Sequence, residues 1–438
     1  MEVSRIAIIL TLSRLGDLTG SLIYFSFIGH FILDASSHAS FAWAQISFLS
    51  VLGIGFFSRT LITVASSENL SEDNIEGDLI IALKLGILIG SLIFFATCLL
   101  NTATLETPRN ANDTKYLKAV MLLSISIPAI FTQIVVFNFF NAIKRPEYEF
   151  LHLWLFNIVF TTFCVALIIK NPKPDLNHFI LLYSGLRYLF AGLSLLLFKK
   201  KIYFYIPKFK YYQKIPAKKY ANYLIRGLPM AICLGGESLL FLVLCFISKK
   251  LGDTSVSAYQ ASLHFLSMIY MISVGIGNAT GIINARHHRM KKLNSLKATY
   301  GYGLCLGLTV LIPILIICHL LKEHISLIYT PHEPTRKTFE NNLMISIPFL
   351  IFEYIYVFTR TTLKSMGDFW IPTMLTIVFF TILGTITTIA LISFYSHSVY
   401  SIFIALVVCS FVLMVLLLLR FKYLLELNSN NILQKGRA

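Results

Sequence analysis

"PMAICLGGESLLFLVLCFIS", residues 229–248, is an apolar run long enough to cross a bilayer, with a carboxylate, Glu237, near its middle. A charge at the centre of a membrane helix costs roughly 2.5–3.5 kcal/mol on insertion scales. The run therefore either hides in a large soluble core or spans a membrane and uses its acid. Composition decides between them. Of 438 residues, 56% are hydrophobic and only 13% are charged, against about 25% charged in an average soluble domain. Apolar stretches recur along nearly the whole chain, each near the roughly twenty residues that cross about 30 Å of hydrocarbon as a helix. A β-barrel would instead show alternating segments of about ten residues. The first stretch, Ile6 to Leu33, is too long and too polar inside for a cleavable signal peptide and reads as a span.

The pattern predicts an all-α polytopic membrane protein with twelve transmembrane helices. The predicted spans are 5–33, 40–65, 79–101, 116–142, 149–170, 178–199, 222–249, 255–285, 295–321, 340–365, 369–394 and 398–421. The net charge of +16 does not imply nucleic acid, because the basic residues gather in alternate short loops and in the tail. That is the mark of a cytoplasmic side. Lys144, Arg145, Lys199, Lys200, Lys201, Arg286, Arg289, Lys291, Lys292, Arg420 and Lys422 all fall there, so both termini are expected in the cytoplasm. The acidic stretch 66–78 on the same side does not alter this, since acids count little in the rule. A sequon, Asn112-Asp113-Thr114, falls in an outside loop. The seven cysteines lie in or beside apolar runs without metal-ligand spacing, as small packing residues do.

The longest inside connection, 199–220, interleaves lysines with Tyr203, Phe204, Tyr205, Tyr211 and Tyr212. Beside a membrane that mixture reads as an interfacial segment on anionic lipid. It falls halfway along the chain and divides it into a six-helix lobe at 1–199, a basic linker at 200–220, a second lobe at 221–425 and a tail at 426–438. The lobes look pseudo-symmetric. "GIG" occurs at Gly53–Gly55 in the second span and at Gly275–Gly277 in the eighth. "FNFFNAIKRPEYEF" closes the fourth span and "TRTTLKSMGDFWIP" the tenth, each a charged turn with a proline. Internal repeats of this kind mark transporters.

Ionisable groups inside spans are functional candidates. Glu237 and Glu353 lie near the centres of the seventh and tenth spans. Neither has an opposite charge within one turn of its own helix, so each pairs across helices, binds a cation or holds a proton. Asp17 lies in the first span three residues from Arg14, a spacing that suits an ion pair as well as a functional role. Arg187 sits midway through the sixth span. Arg59 and Lys84 stand near inner span ends, where snorkelling explains them.

Residues 226–285 resemble the seventh and eighth helices of the multidrug and toxin extrusion (MATE) family. The shared features are Gly227-Leu228-Pro229, Glu237 followed four positions on by Phe241, Leu251-Gly252, Ala258, Gln260, Gly275-Ile276-Gly277 and Ala279-Thr280. Glu353, ten positions before the Leu363-Lys364-Ser365 turn, is similar to an acid the family often places in its tenth helix. The resemblance implies two lobes, cation-coupled export, and coupling roles for Glu237 and Glu353, with sodium or a proton as the ion and no other cofactor. It departs in the first helix, where the family's aspartate position falls on Tyr24 and Asp17 lies two turns earlier. It also departs at Phe349, where some sodium-using members carry a tyrosine that Tyr356 could replace. Tyr24, Gln260, Asn278, Tyr356, Arg14 and Arg187 are the candidates for cavity lining or helix support. The expected partners are a small-molecule substrate and membrane lipid, with the protein a monomer in a cytoplasmic membrane. No nucleophile motif or phosphate loop suggests an enzyme. The rival reading is a flippase for a lipid-linked saccharide, which would need a cationic cavity; Arg14 and Arg187 are its candidates.

Overall fold

The computed structural model describes residues 2–66, 73–105, 111–172, 174–206 and 215–435. Lys208, Lys210, Tyr211, Tyr212 and Lys214 of the basic linker lie outside them, as does Arg437 of the tail. The described chain is helical: α1 Glu2–Phe31, α2 Ser36–Ser66, α3 Asp73–Leu105, α4 Ala111–Ser124, α5 Ile127–Ala142, α6 Glu147–Lys170, α7 Leu176–Tyr205 and α8 Ala217–Lys250. Then follow α9 Asp253–Arg289, α10 Leu293–Leu320, α11 Lys322–Tyr329, α12 Glu333–Ser365, α13 Trp370–Leu375, a π-helical segment Thr376–Ile382, α14 Leu383–Phe394 and α15 Val399–Lys435.

Eleven stretches of helix among the described residues are long and apolar enough to cross a membrane. The helix α1 is a further long helix outside that set, so the expected count of twelve is one above the eleven. On α3, Leu88, Leu92, Phe95 and Leu99 form an exposed apolar stripe. Such a stripe suits lipid, whereas in water it would be a large unpaired patch.

Two predicted spans are interrupted. The span at 116–142 breaks between α4 and α5. Pro128 sits in the first turn of α5, where its missing N–H costs nothing. Ser124 and Ser126 fold their hydroxyls back onto the Met121 and Leu123 carbonyls at 2.7 Å each. The span at 369–394 is α13, the π-helical segment and α14 in series.

Two compact units divide the chain: Met1–Leu18 with Val243–Ala438 (unit 1), and Thr19–Leu242 (unit 2). This division differs from the expected one at 199 and 221, because the first part of α8 packs within unit 2 and the first part of α1 within unit 1. The repeated glycines explain it. In unit 2, a Cβ on Gly55 of α2 would stand 2.7 Å from the Met230 carbonyl oxygen of α8. Gly227 of α8 lies as tightly on Phe56. In unit 1, Gly275 of α9 faces Thr11 of α1, and Gly277 faces Thr361 of α12. Each "GIG" thus lies against two helices of its own unit, Gly53 and Gly55 against α5 and α8, Gly275 and Gly277 against α1 and α12.

The paired turns match in detail. Lys144 after α5 and Gly367 after α12 both adopt positive φ, 61° and 92°. Arg145 N–H donates to Phe140 O at 2.9 Å, and Asp368 N–H to Leu363 O at 3.1 Å. Both are Schellman closures of a helix C-terminus. In unit 2, Arg59 does not simply snorkel: it pairs with Asp78 at 3.2 Å, donates to Asn222 O and lies 5.0 Å from the Tyr223 ring centre. It ties α2 and α3 to α8.

Candidate functional site in unit 1

The helices α9 and α12 carry the polar interior of unit 1. Asn342 Nδ2 donates to Ser262 Oγ at 3.2 Å, and Gly281 lies against Thr361. Both contacts show the same offset of 80 residues, so the helices run side by side in constant register. Glu353 follows Asn342 by eleven residues, about three turns, and so shares its face. The register sets it level with Ser273, which is buried. Glu353 is 5% exposed.

Tyr356, fully buried, follows one turn on. Its ring centre lies 5.7 Å from Phe380 of the π-helical segment, and the Arg360 guanidinium lies 5.8 Å from the Tyr356 ring centre. Glu353, Tyr356 and Arg360 stand at i, i+3 and i+7, one face of α12. Single-turn π segments recur at functional sites, and this one packs against that face. Gln260, also buried, leaves its Oε1 without a hydrogen bond, as Asn342 leaves its Oδ1.

His264 is a further polar group here, one turn beyond Gln260. It is buried between Tyr329 Oη at 2.7 Å from Nδ1 and the Leu18 carbonyl oxygen at 3.1 Å from Nε2. A carbonyl only accepts, so Nε2 carries the proton and Nδ1 accepts from Tyr329. Burial pushes the Tyr329 phenol well above its ordinary range, so it keeps its proton and remains the donor. Tyr329→Phe is expected to strand the buried Nδ1 and lower stability by about 1–3 kcal/mol. Thermal unfolding in detergent would show it, and an unchanged Tm would remove the bond from the account. Sequence reading weighed acids and cations and passed over His264, although a histidine inside a span was signal enough. Tyr329 lies on short α11, outside the spans, and carried no signal.

The other candidates separate. Glu237 on α8 belongs to unit 2 and is half-buried. Tyr24 and Arg187 are buried in unit 2. Arg14 is half-buried and Asp17 exposed on α1 in unit 1; Asn278 is exposed on α9. So Glu353, Tyr356 and Gln260 share the α9–α12 interior, and Glu237 does not join them within one unit.

A helical membrane protein with two compact units, and with the same helix closure after α5 and after α12, defines a class of fold built from repeated helical units. Residues 229–389 match the MatE family. The "Multidrug resistance protein NorM" of Vibrio vulnificus is 29% identical over 130 residues, 30% of this chain and 27% of that protein. The "Probable multidrug resistance protein NorM" of Bacillus thuringiensis is 22% identical over 305 residues, 68% of this chain and 66% of that protein. The chain spans about a quarter, 27%, of the length of the first curated relatives it matches. Among solved structures, a multidrug resistance MATE family transporter of the MOP superfamily, in an inward-facing conformation, superposes with TM-score 0.75 at 14% identity, covering 98% of this chain and 99% of that one. A MOP superfamily transporter from Pyrococcus furiosus gives 0.66 at 12% identity, covering 98% and 95%. The chain thus carries a MatE region and has the fold of MATE transporters over nearly its whole length.

Proposed function

We propose that this protein is a cation-coupled antiporter that exports a small organic compound by alternating access. The observation that carries the reading is Glu353, a carboxylate buried in the polar α9–α12 interior of unit 1. A proton or sodium ion neutralises it there. A ligand shifts a conformational balance only through its differential affinity for the two states, and a buried carboxylate, charged in one and neutral in the other, supplies that difference. Glu237, half-buried on α8, supplies a second carboxylate in unit 2. The named relatives are multidrug resistance proteins, which supports an organic substrate. Purified protein in proteoliposomes, with pH and sodium gradients imposed separately, tests it: efflux should follow one gradient and cease without either.

The same proposal places both termini in the cytoplasm. Tags at the N-terminus and within 200–220 should label only from inside, and a tag near 109–113 only from outside. Outside labelling of 200–220 would refute this orientation. The flippase reading is favoured by one feature, the buried Arg187.

A further inference from the structure

Unit 2 carries two cations on its apolar outer face, and the register of three helices places them together. Thr60 of α2 meets Tyr223 of α8 at 2.8 Å between hydroxyls, and Gly227 lies tightly on Phe56, so α8 runs antiparallel to α2. Arg59 of α2 meets Asp78 of α3, and Gly53 and Gly86 both lie against Phe131, so α3 also runs antiparallel to α2. The helices α3 and α8 are therefore parallel. Their first turns meet: a Cβ on Gly77 would stand 3.7 Å from Lys219 Nζ.

Two turns on, the same two faces carry charge. Lys84 follows Gly77 by seven residues and Arg226 follows Lys219 by seven. Each repeats the face of its predecessor about 10 Å further along its helix. Lys84, Arg226 and Lys219 are all exposed, and neither Lys84 nor Arg226 makes an ion pair among the described residues. The exposed side chains around them are apolar: Ile87, Leu88 and Leu92 on α3, Leu224 and Ile225 on α8. The acids of these helices are engaged or distant. Asp78 is held by Arg59, Glu76 is buried, and Glu237 lies three turns beyond Arg226.

A cation facing hydrocarbon is costly. Long basic side chains lower the cost by bending toward the headgroups. For Lys84 and Arg226 the near headgroup level is that of the first turns of α3 and α8, where Lys219 stands. Three cations without an acid among them call for an anion. Arginine grips a phosphate with its planar fork, and lysine adds a point charge. A soluble anion would leave the isoleucines and leucines uncovered, whereas a phospholipid covers them with its acyl chains. A lipid whose headgroup bears its own ammonium would bring that charge against the three cations.

We propose that Lys84 and Arg226, with Lys219 at the entrance, bind the phosphate of an anionic phospholipid whose acyl chains lie along the exposed apolar faces of α3 and α8. The site lies wholly within unit 2 and does not depend on the exporter reading. With both termini in the cytoplasm, it draws its lipid from the cytoplasmic leaflet.

Native mass spectrometry of the full-length protein released from detergent micelles tests it, with dioleoyl phosphatidylglycerol and dioleoyl phosphatidylcholine titrated separately. The wild type is expected to hold one phosphatidylglycerol at least about tenfold more tightly than phosphatidylcholine. Lys84→Gln and Arg226→Gln should each lower that affinity about three- to tenfold, and the double variant should bind the two lipids alike. Both positions are exposed, so the variants should fold, which the Tm of each checks. The exchange Lys84→Arg with Arg226→Lys keeps both charges and should keep the preference. Lys170→Gln, which removes an exposed charge from α6, should leave it unchanged. Equal binding of the two lipids by the wild type overturns the proposal. So does a preference that persists in the folded double variant, or one lost equally in Lys170→Gln, which would make it an effect of net charge alone. Displacement of phosphatidylglycerol by an equal concentration of sn-glycerol 3-phosphate would assign the cations to a soluble anion and overturn the lipid site.

Discussion

Glu353→Gln is expected to cut gradient-driven efflux about ten- to a hundredfold, the range of an ordinary coupling free energy of about 1–3 kcal/mol. Glutamine keeps the length and shape of glutamate, with an NH2 in place of one carboxylate oxygen, so the α9–α12 packing around Asn342 and Ser262 should survive and the protein should fold. What it removes is the change of charge. Without it the coupling ion has no differential hold on the two states, and the gradient no longer drives the cycle. Glu237→Gln is expected to lose efflux as well, but less, because Glu237 is only half-buried in unit 2. A carboxylate that keeps part of its water gains less from neutralisation. Proteoliposome efflux under a pH gradient and under a sodium gradient, beside the Tm of each variant, separates coupling from folding. Wild-type efflux by Glu353→Gln would remove the buried acid from the mechanism.

The second large effect is steric and concerns the repeated glycines. A Cβ at Gly90 would stand 2.6 Å from the Pro128 Cα, and one at Gly55 would stand 2.7 Å from the Met230 carbonyl oxygen. Both obstacles are backbone, so the helices themselves must separate. Gly55→Ala and Gly90→Ala are each expected to destabilise unit 2 by about 1–3 kcal/mol, the usual cost of overpacking. Gly53→Ala should cost less, although its Cβ would come as close as 2.5 Å, because the obstacle is the Phe131 ring, which can turn. At Gly185 nothing lies within 4 Å. Gly185→Ala should therefore raise stability by up to about 1 kcal/mol, through helix propensity alone. Tm values of the four variants should fall in that order. If Gly55→Ala melted with wild type, the close packing of α2 on α8 would be wrong.

The membrane class, most span positions and the repeat were legible in the sequence, because each is a local property. Hydropathy marks a span wherever twenty apolar residues run together, whatever they pack against. The "GIG" pairs and the turns after α5 and α12 were legible because glycine, proline and charge stand out within apolar runs. The acid Glu353 stood out for the same reason: a charge in an apolar run is conspicuous without its neighbours.

What only the tertiary structure decided is which helices share a unit and which polar groups meet. The first parts of α1 and α8 look like any other apolar segment, yet α1 packs with α9 and α8 with α2, contacts between residues more than 160 positions apart. The units divide at Leu18 and Leu242 and not at the chain's midpoint, since packing follows contacts and not chain order. His264 joins Tyr329 and the Leu18 carbonyl across 65 and 246 residues, and nothing local to any of the three signals the others. Tyr24 reads as a missing aspartate in one dimension; in three it is a buried ring packed against Trp43, Phe179 and Tyr183. Hydropathy tells a residue which solvent it meets, and only the fold tells it which neighbour.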